Sequence, residues 1–166
     1  MKPFNALRKL ALLLMIGAGS AYAADAAKPA DASAKPAKAV KKAAKKDLPP
    51  IKVVYHLNEG NEQSSNALRN IKNHLQGDPT AKIAVVGHAK GIDFLLADAK
   101  DKNGSLYATT VDELAMQGVE FKVCNNTLVG RKIEASSVIS SGKIVPAGVV
   151  EISRLQAREG YVYVKP

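Results

Sequence analysis

One thiol occurs in the whole chain. It is Cys124, in the stretch F-K-V-C-N-N-T-L over residues 121–128. A thiolate is a nucleophile and a carrier of sulfur, and how readily it forms depends on the charge and dipoles around it. A lone cysteine has no internal disulfide in which to be silenced. It can therefore exchange through mixed disulfides or persulfides, provided that it is reactive. The other reading is that Cys124 is a small buried hydrophobe, as free cysteines often are. The residues after it are polar: Asn125, Asn126 and Thr127, with the cation Arg131 a turn further on. Of the three histidines, His88 follows an apolar run and is a candidate binding residue. His56 and His74 form no metal-ligand spacing with each other or with Cys124, so no metal is expected.

These side chains need elements to hold them. "IKVVYHL" (51–57), "AKIAVVGH" (81–88) and "VEFKVC" (119–124) are short apolar runs rich in branched residues, the pattern of strands buried on both faces. Between the first two, Ala67, Leu68, Ile71 and Leu75 form one helical stripe that Gly77 ends. "TTVDELAMQG" (109–118) predicts a helix capped by Thr110 with Glu113 three residues on. "NNTLVGRKI" predicts a helix leaving the third strand, "PAGVVEISRLQAREG" (146–160) a helix closed by Gly160, and "YVYVK" a final strand. Residues 91–108 carry a surface loop at their Lys/Asp/Asn/Gly centre; Ile92 to Leu96 read either as a helical turn or as an edge segment, and the rest is unassigned. Alternating strands and helices predict an α/β fold, with a mostly parallel sheet and helices on both faces. In such sheets ligands gather beyond the carboxyl ends of the strands. That rim would collect Asn58, His88 and Cys124 with Asn125 and Asn126, and the strand-to-helix passage at Cys124 would place unpaired N–H groups near its sulfur. No G-x-S-x-G elbow, phosphate-binding loop or dinucleotide fingerprint occurs, and Gly87 and Gly91 read as backbone geometry.

The chain opens with Lys2, Arg8 and Lys9, an apolar run from Leu10 to Ile16, and Ala21 and Ala23 in an A-x-A pattern. This predicts a signal peptide over residues 1–23, cleaved after Ala23, and a periplasmic location. Residues 24–50, nearly all Ala, Lys, Pro and Asp, read as a disordered linker. Of the formal net charge of +9, only +2 falls on residues 51–166. That balance argues against nucleic acid as a partner of the folded part. The tail itself could touch anionic surfaces weakly.

At "KVVYHLNEG", "AVVGHAKGIDFLL", "LAMQGVEFKVCNNTL" and "IVPAGVVEISRLQAREGYVYVKP" the chain resembles the DsrE/DsrF-like family, of YchN-like fold, over residues 52–166. The resemblance implies a sheet of about five strands and assembly into homotrimers or homohexamers; no cofactor is expected. In the sulfur-relay branch it implies a persulfide-carrying cysteine at the end of the third strand, the position of Cys124. Two functions of different class follow. One is a sulfurtransferase-like persulfide or thiol carrier served by donor and acceptor proteins or small sulfur compounds. The other is an oligomeric module that binds a small ligand at the rim and has an unreactive Cys124. The residues leave open whether the chain is an enzyme.

Overall fold

A computed structural model describes residues 48–166. The expected signal peptide and all but the last residues of the expected linker lie outside them. Five strands, β1 (Lys52–Leu57), β2 (Lys82–Gly87), β3 (Glu120–Cys124), β4 (Gly142–Val145) and β5 (Val162–Val164), form one sheet in the order β4-β3-β2-β1-β5. Every neighbouring pair is parallel. Parallel neighbours require crossovers, and α1 (Asn61–Gly77), α2 (Tyr107–Met116), α3 (Asn125–Arg131) and α4 (Gly148–Glu159) supply them.

Alternation along the strands divides the core in two. Val53, Tyr55 and Leu57 of β1, Ile83 and Val85 of β2, and Phe121 and Val123 of β3 pack with Ile71 of α1, Val111 and Leu114 of α2 and Leu128 of α3. On the other face, among the described residues, Val54, Ala84 and Val86 cluster with Ile152 and Leu155 of α4, with Tyr161 alongside. The expected helices on both faces are present, but unequally: among the described residues three share one side and α4 alone covers the other.

One expectation is corrected, and two stretches without an assignment are resolved. Thr110 is not a helix cap, because α2 begins at Tyr107 with Leu106 in the cap position. Buried Tyr107 starts the helix early: its N–H donates to the Ala99 carbonyl at 3.0 Å, and its hydroxyl donates to the Asn61 carbonyl at 3.0 Å and meets the Ser65 hydroxyl at 2.7 Å. Those tertiary bonds outweigh the local capping pattern. The unassigned segment opens with a 3-10 turn, Ala89–Leu95, whose Ile92, Phe94 and Leu95 are core residues. The edge strand β4 has no counterpart in the apolar runs, since its burial comes mainly from Val145.

Gly91 explains why that turn fits. A side-chain carbon on it would fall onto the Leu57 carbonyl, and one on Gly87 onto the Gly91 carbonyl. The glycines let the turn lie directly against the end of β1, in keeping with a structural role.

Candidate functional site

The carboxyl ends of β1, β2 and β3 are adjacent, so the expected rim exists. Gly87 pairs with Val123, which makes His88 and Cys124 the next positions along two neighbouring strands, on the face that α4 covers. The amino end of α4 sits between them. A Cβ placed on Gly148 would lie 3.2 Å from the Cβ atoms of both Cys124 and His88, so those two atoms are separated by no more than twice that distance.

Cys124 is buried, with 6 % of its surface exposed. Burial works against its anion. Hydrogen bonds from the Thr127 hydroxyl and from the N–H groups of Gly148, Thr127 and Asn126 outweigh it and hold the thiol below its ordinary value. The donors come from two helix starts, α3 and α4, where N–H groups lack intrahelical partners. A second bond orients Thr127: its oxygen accepts the Ala89 N–H at 3.0 Å, which leaves the hydroxyl proton for sulfur. Ala89 adopts φ +50°, a left-handed conformation uncommon for a residue with a side chain, and this turns its N–H toward Thr127. The Asn126 N–H also reaches the Pro146 carbonyl at 3.3 Å, tying the start of α3 to the segment before α4.

A buried ion pair sets the height of α4. Lys122, two residues before Cys124 on the same face, is only 5 % exposed, and its Nζ donates to Glu151 Oε1 at 2.7 Å. Glu151 is three residues after Gly148, one helical turn along the same side of α4. Pinning Glu151 to Lys122 therefore brings the Gly148 N–H over the sulfur. Hydrogen bonds from Arg154, with help from Lys122 against burial, lower the Glu151 carboxyl to about 2. Burial pulls Lys122 down, but Glu151 and Glu120 more than reverse this and its ammonium is held above the ordinary value.

The other expected site residues divide. Asn125 and Asn126 are exposed at the start of α3, and Asn126 serves through its backbone. Arg131 is turned to Asp93, at 2.5 Å, and to the Ala89 carbonyl, at 3.0 Å, so its side chain braces the turn after His88. Asn58 follows β1 on the same rim, where its N–H donates to Gln63 Oε1 at 2.9 Å. Among the described residues its side-chain oxygen is buried without a hydrogen-bond partner.

His56, Gly148, Lys122 and Glu151 were not expected at the site. His56 Nε2 lies 2.7 Å from His88 Nε2, and His56 Nδ1 lies 2.7 Å from the Tyr163 hydroxyl on edge strand β5. Strand parity puts His56 on the face of Val54 and His88 on that of Val86, and the register that sets His56 beside Val86 brings the two histidines together. Burial lowers both histidines, and for His56 the charges of His88 and Lys165 add to it. Among the described residues no group of three or more His, Cys, Asp or Glu is placed to hold a metal, and no helix is long and apolar enough to cross a membrane.

The DsrE/DsrF-like family profile matches residues 51–166. MTH1491, a protein of unknown function from Methanobacterium thermoautotrophicum, is similar in structure, with a TM-score of 0.63 and 30% identity over 70% of this chain and 99% of its own. The ychN protein of E. coli shares the fold, with a TM-score of 0.58 and 18% identity over 72% of this chain and 100% of its own. No curated protein matches. With the family profile matched over residues 51–166 and a structural neighbour 30% identical over 70% of the chain, the chain belongs to the DsrE/DsrF-like family.

Proposed function

We propose that the chain is a cysteine-based sulfur carrier. The observation that carries this reading is the place of Cys124 at the start of α3, with the Cβ position of Gly148 at the start of α4 only 3.2 Å from its own Cβ, where the Thr127 hydroxyl and the N–H groups of Gly148, Thr127 and Asn126 hold its thiol below the ordinary value. They stabilise an anion at the position where family membership leads one to look for a sulfur-bearing cysteine. The Cys124 thiolate attacks the sulfane sulfur of a polysulfide or thiosulfate. The donor's S–S bond breaks, the remainder leaves as a polysulfide one sulfur shorter or as sulfite, and the sulfur stays on the protein as Cys–S–S⁻. As further parts of this proposal, the protein acts in the periplasm after removal of residues 1–23, and the domain assembles as a homotrimer or homohexamer.

The burial of Cys124, at 6 % exposure, favours a second reading: an oligomeric ligand-binding module in which the thiol is inert. One experiment separates the two. Native protein incubated with polysulfide should gain a single sulfur at Cys124 by mass, and Cys124→Ser should gain none while keeping the native fold. A thiol that gains no sulfur from polysulfide or thiosulfate, and resists alkylation until the protein is unfolded, would leave the binding module as the function.

A further inference from the structure

The three side chains Tyr163, His56 and His88 form a continuous hydrogen-bonded line along the face covered by α4, ending one strand from Cys124. The Nε2–Nε2 contact between the histidines, at 2.7 Å with rings stacked 26° apart, admits one proton between the two nitrogens. One ring donates and the other accepts, so the pair cannot carry two charges at once. When His88 donates, His56 must hold its own proton on Nδ1 and give it to the Tyr163 oxygen. His88 Nδ1 is then free to accept a proton. When the line reverses, Tyr163 donates to His56, His56 donates to His88, and His88 Nδ1 carries a proton it can give. Tyr163 is 41 % exposed and connects the line to solvent.

Resting on the sulfur-carrier reading, we propose that His88, with its tautomer set by His56 and Tyr163, is the general acid–base for handing sulfur from Cys124 to an acceptor thiol. The hand-over needs one. Overall, Cys–S–S⁻ and R–SH become Cys–S⁻ and R–S–SH, so the acceptor's proton must reach the outer sulfur of the persulfide. His88 removes the proton from the acceptor thiol and delivers it to that outer sulfur. The acceptor thiolate attacks the protonated outer sulfur, the old S–S bond breaks, and its electron pair returns to Sγ, where Thr127, Gly148 and Asn126 receive the anion. Charge and sulfur balance without an outside oxidant or reductant. A neutral pair suits this chemistry, and the depressed basicity of both histidines keeps it neutral near pH 7. The charged groups around it are already engaged: Lys165 with Glu59 at 2.8 Å, and Lys122 with Glu120 and Glu151 at 3.1 and 2.7 Å. Lys90, two residues after His88, is exposed.

The test is the rate at which sulfur-loaded Cys124 passes its sulfur to glutathione, followed by mass across the pH range. Native protein should show a limb in the histidine range. His88→Gln should load as much sulfur as native protein yet hand it over about a hundredfold more slowly near neutrality. That deficit should shrink as the pH nears ~8.5, where the acceptor thiol ionises unaided. Added imidazole should restore part of the rate in His88→Ala, an effect that a purely structural role would not produce. Tyr163→Phe, a change on an exposed edge strand, should shift the histidine limb without affecting loading, and it keeps the proposal falsifiable should the His88 variants fold poorly. Native rates and profiles in the variants that load normally would overturn the relay and leave the carrier standing. Failure of native Cys124 to take up any sulfur would overturn both.

Discussion

Thr127 does two things with one oxygen, accepting from Ala89 and donating to Cys124. Thr127→Val keeps the shape and removes both bonds. The thiol should become less acidic, and iodoacetamide alkylation near neutral pH should slow about tenfold, as loss of one charge-assisted hydrogen bond of about 1.5 kcal/mol implies. An unchanged pH profile of alkylation would mean that the backbone N–H groups alone hold the anion. Cys124 was a candidate from the sequence because its type and its place at the end of an apolar run are local facts. The partners of its sulfur were not: Gly148 lies 24 positions along, and a glycine at a helix start carries no chemical signature. Likewise, His56 and His88 become neighbours only through the register of β1 on β2.

At the scale of elements, the Lys122–Glu151 pair is what places α4 on the sheet. Glu151→Gln leaves the buried Lys122 ammonium with only the exposed Glu120 carboxylate, at 3.1 Å, as a charged partner and should destabilise the fold by about 3 kcal/mol in denaturant melts. Replacing both residues with Met and Leu should cost less than the single change, since no unpaired charge is left. In that double variant Cys124 should alkylate differently from the native thiol, because Gly148 is no longer pinned over it. Acid should act in two windows. His56 and His88 have lowered values in the folded state, so their contribution is complete above about 6.5 and is lost as pH falls below it. Glu151, held at about 2 against 4.5 ordinarily, contributes fully above about 4.5 and loses that contribution as pH falls toward 2. A stability-versus-pH curve for Glu151→Gln should lack the lower step and keep the upper one. Long periodic elements such as α1, and strands buried on both faces, were readable in the sequence because their pattern is their burial. β4 was not, being a four-residue edge strand with little to bury, and the start of α2 was not, being fixed by Tyr107 reaching α1.

For the molecule as a whole, a domain lacking residues 24–50 should keep its fold and its assembly. The described core draws on residues from Val53 onward. Light scattering on that truncated domain checks the proposed multiple of three, and a stable monomer would count against it. Assembly would also give a purpose to Val149 and Val150, which are 57 % and 62 % exposed on α4. The uneven covering of the sheet has a kinetic consequence. A face held by one twelve-residue helix should come open before the face held by three, as a sub-global fluctuation well short of unfolding. Amides of α4 should therefore exchange with deuterium faster than those of α1. Each such opening would lift the Gly148 N–H away and uncover the sulfur beneath, so a bulky thiol reagent should react at a rate that follows α4 exchange. The thiol would then be gated in time, sheltered while its anion is stabilised and exposed only during the brief intervals when the helix has lifted.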